Sequence, residues 1–294
     1  MILNAPSPPK LARPRERDSC ARMTAVAMRS GDGSAGDADY GAIGVDYARY
    51  RRPDARIAAR ISQALGAART VLNVGAGAGS YEPTDRQVVA VEPSAVMRAQ
   101  RPPHLVPAIH GMAEALPLDD QSVDAAMATV TVHQWADLKR GLGELRRVTR
   151  GPIVVLTFEG EALDRFWLAD YAPELIAAER RRYPAMETIC AGLGGATVVR
   201  AVPIPIDCVD GFTEAYYARP ERFLEPAVRA AQSAWGFITK EEQTRSVEKL
   251  RADLTSGAWD KKYGKWREMP FFEGSLRLIV NSAKDRQRGW LAGN

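Results

Sequence analysis

At 294 residues, with 46% apolar and 26% charged side chains, the chain can bury a full α/β core and has an ordinary globular composition. It lacks both the apolar run of about 18 residues that a membrane helix needs and the apolar core of an export signal, and its three scattered cysteines (Cys20, Cys190, Cys208) suit neither a disulfide framework nor a zinc site, so a cytoplasmic protein with no membrane partner and no metal is expected. The pI of 9.0 arises in residues 1–29, which carry the whole net charge of +4, while residues 30–294 balance at 34 basic against 34 acidic side chains; a nucleic-acid partner, which would call for a basic face on the folded domain, is not expected.

Residues 1–38, rich in Pro, Arg, Ser, Gly and Asp without a hydrophobic period, read as a disordered basic tail, with Met23 and Met28 as alternative starts. From Tyr40 the pattern changes. In residues 54–65 (DARIAARISQAL), Ile57, Ile61 and Leu65 recur four apart, which predicts a helix with one apolar face. Buried-strand runs follow at 70–74 (TVLNV), 88–92 (VVAVE), more weakly at 106–110 (VPAIH), then at 125–132 (AAMATVTV) and 153–158 (IVVLTF). Helical patterns lie between them, at 95–101 and 136–148. This alternation predicts an α/β fold with a parallel, doubly wound sheet, and strands at 196–206 and 275–283 would bring it to seven.

Residues 39–160 thus form the expected core, and 284–294 a C-terminal tail. The helical segments 161–195 and 207–274 break the alternation and hold more than half of the aromatic side chains. Insertions of this length read as lid or substrate-binding elements. Phe166, Trp167, Tyr216, Tyr217 and Trp235 are the candidates for a largely apolar substrate wall.

The most informative motif is V71-L72-N73-V74-G75-A76-G77-A78-G79, with the acidic Glu92 ending the next strand, 17 residues after Gly75. Glycines straight after a buried strand let the backbone turn sharply and approach a ligand, and an acid at the next strand end can accept both hydroxyls of a ribose. The crossover from Gly75 to Gln87 is only 13 residues long and contains Pro83, leaving room for a turn or two of helix. A pyrophosphate needs a well-formed helix N-terminus. A dinucleotide is therefore disfavoured against a nucleoside cofactor without phosphates.

From Tyr47 to Phe158 the chain resembles the class I S-adenosylmethionine (SAM)-dependent methyltransferases of the ubiquinone/menaquinone-biosynthesis type (methyltransferase type 11). The motifs that carry the likeness are YARYRRP, VLNVGAGAG, AVEPSAVM, GMAEALPLDDQSVDAAMA and GLGELRRVTRG, in that order. The resemblance implies a Rossmann-like seven-stranded sheet, SAM as cofactor and methyl transfer as activity. It further implies that Gly75, Ala76 and Gly77 face the methionine portion, with Thr129 beside it, and that Glu92 takes the ribose. Pro93 and Met97 would flank the adenine, Met112, Ala113 and Glu114 its edge, and Tyr47, Tyr50 and Arg52 would close over the carboxylate. Asn73 departs from the Asp common in this family.

His133, in T131-V132-H133-Q134-W135 after the fourth strand, is the candidate general base, since imidazole titrates near neutrality; a helix-capping or substrate-contacting role is the alternative. Trp135 would approach the substrate with it. His104 and His110 read as surface or core residues, and Glu144, Arg146 and Arg147 as a solvated helix face with local pairs. The chain lacks Cys-x3-Cys-x2-Cys and Asn/Asp-Pro-Pro-Tyr/Phe, which sets aside radical SAM chemistry and the usual methylation of DNA bases. The expected function is methylation of a small organic molecule, O- or C-methylation ahead of N-methylation, by a chain for which a homodimer is admissible. Macromolecule methylation, a non-catalytic SAM-binding regulator, and SAM used for cyclisation or decarboxylation are the alternatives.

Overall fold

The computed structural model describes residues 47–282; the tails expected at 1–38 and 284–294, together with residues 39–46 and 283, lie outside the described residues. After the single turn α1 (Tyr47–Tyr50) comes α2 (Ala55–Leu65), which buries Ile57, Ile61 and Leu65 as their spacing predicts. Asp54 caps it, accepting from the Arg56 N–H at 3.0 Å, and Gly66, at φ 61°, ends it.

Eight strands follow: β1 (Thr70–Val74), β2 (Gln87–Val91), β3 (Ala125–Thr129), β4 (Ile153–Phe158), β5 (Thr197–Ala201), β6 (Ile204–Pro205), β7 (Phe271–Phe272) and β8 (Leu276–Asn281). Six of them make the main sheet, in the order β2-β1-β3-β4-β8-β5, and β6 pairs with β7 apart from it. The first four run parallel, and β8 is antiparallel to both its neighbours. The remaining helices are α3 (Ala95–Ala99), α4 (Leu138–Val148), α5 (Pro173–Arg182), α6 (Met186–Leu193), α7 (Pro226–Ala230), α8 (Lys240–Ser256) and α9 (Ala258–Tyr263).

Every residue of β1 and β4 is buried, because both sheet faces are covered. Side chains alternate between two cores. Val71, Val154 and Leu156 pack with α2 and the inserted segments, whereas Leu72, Val74, Ile153 and Val155 pack with α4 and α6.

Four sequence expectations are corrected. Among the described residues the sheet has six strands rather than seven: residues 106–110 make a single bridge, Ile109 to Val91, because Pro107 has no N–H to give. Ile109 still sits at the β2 edge, donating to the Ala90 carbonyl at 2.8 Å and accepting from the Glu92 N–H at 3.0 Å. The run 196–206 splits into β5 and β6 around Pro203, and the run 125–132 stops at Thr129, since Val130 turns to φ 51°. Finally, no helix forms in the first crossover. Gly75, Gly77, Gly79 and Tyr81 all have positive φ, a sequence of turns that no right-handed helix can absorb.

Candidate functional site

The strand order reverses between β1 and β3, both of which pair with their neighbours in parallel. In open α/β sheets the crevice outside the carboxyl ends of the strands at such a switch point is where ligands bind. Here the loops leaving β1 and β3 meet. A Cβ placed on Gly75 (φ 65°) would lie 2.0 Å from Thr131 Oγ1, so this glycine lets the two loops touch. Gly77 (φ 51°) differs, because its Cβ direction meets only Met97 Cε, at 3.3 Å. Gly75 thus serves packing, and Gly77 leaves space over the loop.

The loop is braced from below. The Gly75 and Ala76 N–H groups donate to the Val91 carbonyl at 2.9 and 3.1 Å. Asn73, fully buried, donates through Nδ2 to Glu82 Oε1 at 3.0 Å, while Arg101 pairs with Glu82 Oε2 at 2.8 Å and reaches the Gly77 carbonyl at 3.3 Å. This network gives Asn73 its reason: an aspartate there would face the Glu82 carboxylate, whereas the amide donates to it. Asn73 Oδ1 is left buried without a partner.

Glu92, at the end of β2, accepts from the Gly77 and Ser94 N–H groups, each at 2.8 Å. Each oxygen keeps acceptor capacity for a diol. Met97 is buried on α3, and Val96, Val106 and Met112 are large apolar side chains left exposed around the β2 end, where apolar surface would face a purine. A glycine loop with open space at Gly77, a braced carboxylate and uncovered apolar side chains fit an adenosyl group with an amino-acid tail. Ala113 is buried beside them, Pro93 is exposed, and Glu114 accepts from the Asp137 N–H at 3.1 Å, which ties it to the start of α4. Glu144 and Arg147 pair at 2.7 Å and bond the backbone of Leu116 and Leu118, so they fasten the 112–120 loop to α4 rather than forming a plain solvated face.

Beyond β3 and β4 lies a cavity of about 50 Å³, walled by Arg51, Val130, His133 and Phe158 on the core side and by Glu179, Tyr183, Glu214 and Gln232 from the inserted segments. Val130, a β-branched residue held at φ 51°, marks local strain at the cavity wall. His133 is buried, its ring edge-on to Tyr183 at 4.9 Å, and its Nδ1 has no partner. Burial, then the charges of Arg182 and Arg51, hold its imidazole well below the usual range, so it is neutral.

The Tyr183 hydroxyl donates to Glu179 at 3.1 Å, and Arg182 bonds both Glu179 and the Ser233 hydroxyl. Burial and the Glu179 charge push the Tyr183 phenol well above its ordinary value. Glu214 accepts from the Ser275 N–H at 2.9 Å and from its hydroxyl at 2.5 Å, yet burial outweighs these bonds and raises its carboxyl to about 7. Gln232 Oε1 accepts from Thr213 at 3.0 Å, leaving Nε2 buried with no acceptor. Arg51 donates to Asp210 at 2.7 Å, and Asp210 also accepts from the Tyr81 hydroxyl at 2.8 Å, linking the loop after β1 to the second inserted segment.

Of the residues singled out from sequence, His133 lines this cavity, and Thr129 lies one position before Val130. Tyr50 and Arg52 line a different pocket, whereas their neighbour Arg51 lines this cavity. The backbone of Tyr47 lies in α1. Trp135 packs on Gly141 in the opposite core. Phe166, Trp167, Tyr216, Tyr217 and Trp235 are at most 5% exposed and interlock with one another and with Phe223, so they form the core of the inserted segments rather than the cavity surface. Glu179, Tyr183, Glu214 and Gln232 carried no motif; Arg51 lies inside the YARYRRP run, in which only its neighbours Tyr50 and Arg52 and the more distant Tyr47 were candidates. Among the described residues no group of three or more His, Cys, Asp or Glu side chains could hold a metal, and no helix is long and apolar enough to cross a membrane.

Residues 72–152 match the family described as methyltransferase domain. Over 94 residues the chain is 43% identical to uncharacterized methyltransferases of Mycobacterium bovis and Mycobacterium tuberculosis, a stretch that makes up 29% of this chain and 37% of theirs. The chain therefore spans little more than a third of the length of these curated relatives. A crystal structure described as a methyltransferase from an antibiotic biosynthesis pathway of Anabaena variabilis superposes with a TM-score of 0.74 at 31% identity, covering 79% of this chain and 99% of that one. The cofactor of this family is SAM, which the loop and Glu92 fit. With that likeness over nearly the whole of a solved relative, on the switch-point site just described, the chain belongs to the class I SAM-dependent methyltransferases.

Proposed function

We propose that the chain methylates a small organic molecule bound in the cavity beyond β3 and β4. The observation that supports this most is the cavity itself: the inserted segments close it, and two buried polar atoms, His133 Nδ1 and Gln232 Nε2, have no protein partner there. Buried polar groups are normally satisfied, so both await a ligand that offers a hydrogen-bonding oxygen or nitrogen. That the Anabaena variabilis relative is described within an antibiotic biosynthesis pathway agrees with a small-molecule substrate. The lining is mixed rather than largely apolar, which suits a polar, hydroxylated compound.

In this reading Gly75, Ala76, Gly77 and Thr129 hold the methionine part of SAM, Glu92 the ribose, and Pro93, Met97, Met112, Ala113 and Glu114 the adenine. To Tyr47, Tyr50 and Arg52, which close over the carboxylate in this reading, we add Arg51, which lines the cavity. Bound SAM supplies a methyl group on a sulfonium sulfur. The chain aligns the nucleophile: Gln232 donates to the substrate oxygen and His133, neutral, orients it. Where a proton must leave, Glu214 is better matched than His133, because its carboxyl is raised to about 7, near working pH. O- or C-methylation stays ahead of N-methylation. Cytoplasmic residence and a homodimer belong to the same reading, the latter open to sedimentation analysis. The test is transfer of isotopic methyl from SAM in a cell lysate, followed by fractionation. Label in the small-molecule fraction is expected; label confined to protein or nucleic acid would overturn the proposal.

A further inference from the structure

A second pocket, of about 360 Å³, opens on the other side of the Arg51–Asp210 bridge. Its wall holds four arginines, Arg49, Arg52, Arg219 and Arg222, with Tyr50 and Tyr216, against the single carboxylate of Glu225. That carboxylate is already used, paired with Arg222 at 2.7 Å. Among the described residues no carboxylate pairs with Arg49, Arg52 or Arg219. Arg219 and Arg222 both lie over the Tyr216 ring, at 5.2 and 5.8 Å, and Arg49 over Tyr50 at 5.8 Å, so aromatic faces hold guanidinium groups together that would otherwise repel one another.

Arg219 is the clearest sign of a missing partner. It is half-buried, and its Nη2 is spent on two carbonyls, those of Cys208 at 2.8 Å and Ala215 at 2.7 Å. Its Nε is buried with no acceptor, and burial draws the guanidinium below its ordinary value. A cation taken partly out of water without a counter-charge is costly, and a buried N–H without an acceptor adds to that cost. An oxyanion in the pocket would supply the missing counter-charge.

We propose that this pocket is a binding site for a phosphate-bearing small molecule, separate from the methyl-transfer cavity. A phosphate group brings close to two negative charges and several acceptor oxygens, which several guanidinium forks can share, whereas a carboxylate offers one charge. The site is also placed to matter, since Tyr50 and Arg52 flank Arg51, and Tyr216 is packed against Gly211 next to Asp210. An occupant would hold residues 49–52, of which Arg51 lines the methyl-transfer cavity.

The test is calorimetric titration of the full chain with inorganic pyrophosphate at low ionic strength, beside citrate as a tricarboxylate of similar charge. Saturable binding of pyrophosphate is expected, weakened at least about tenfold by the double substitution Arg49→Gln and Arg222→Gln and also by physiological salt. Circular dichroism shows whether the double variant is folded; if it is not, Arg49→Gln alone, at an exposed position, carries the same test. Absence of pyrophosphate binding to the wild-type chain, an unchanged affinity in a folded variant, or a clear preference for citrate would each overturn the proposal. None of these outcomes depends on methyl transfer.

Discussion

The contact between the loops leaving β1 and β3 can be tested by a double-mutant cycle at Gly75 and Thr131. A methyl on Gly75 would lie 2.0 Å from Thr131 Oγ1, 2.8 Å from its Cβ and 2.9 Å from its Cγ2, all well inside contact distance. Overpacking of this kind costs about 1–3 kcal/mol, and the left-handed backbone at Gly75 adds about 1–2 kcal/mol for any residue with a Cβ. Gly75→Ala is therefore expected to destabilise by about 2–5 kcal/mol. Thr131→Ala removes Oγ1 and Cγ2 and so relieves most of the overlap, but leaves the backbone cost untouched. The double variant is then more stable than the sum of the two singles predicts, by a coupling of about 1–2 kcal/mol. Urea unfolding of the four proteins measures it, as shifts in midpoint at constant slope. Additivity within about 0.5 kcal/mol would show that the two loops do not meet as described.

Gly77→Ala meets only Met97 Cε at 3.3 Å, so it should cost no more than the backbone term, about 1–2 kcal/mol of stability, while SAM affinity measured by calorimetry falls at least about tenfold. Asn73→Asp should destabilise by about 2–3 kcal/mol in chemical unfolding, because a carboxylate replaces the amide that donates to Glu82; a neutral effect would refute the role given to Asn73. His133→Ala should lower turnover by less than about tenfold if the neutral imidazole only orients substrate, and a fall of a hundredfold or more would restore it as the base. The Glu214 carboxyl titrates near 7 in the fold against 4.5 for the free group, so the fold favours its neutral form. Stability from this residue is full below pH 4.5 and is lost as pH rises towards 7, by about 3 kcal/mol at most; Glu214→Gln should flatten that slope in unfolding measured across this range.

Periodic and local features were legible in the chain before folding. The spacing of Ile57, Ile61 and Leu65, the apolar runs of β1 and β4, and the glycine loop with Glu92 at the end of the next strand are patterns along the chain, so the order of residues was enough to find them, and the family resemblance they carry supplied the cofactor. Local chemistry also explains the miss at 106–110, where Pro107 outweighed the apolar pattern around it. The substrate cavity was different. Phe166, Trp167 and Trp235 look alike in sequence whether they face a ligand or one another, and only their packing turned them inward. Glu179, Tyr183, Glu214 and Gln232 stand in polar, weakly periodic segments, and they become cavity residues only because α5 and the 213–234 region fold back over β3 and β4. Burial gives those groups their chemistry, raising Glu214 and lowering His133, and burial is a property of the assembled fold that no single stretch of the chain possesses.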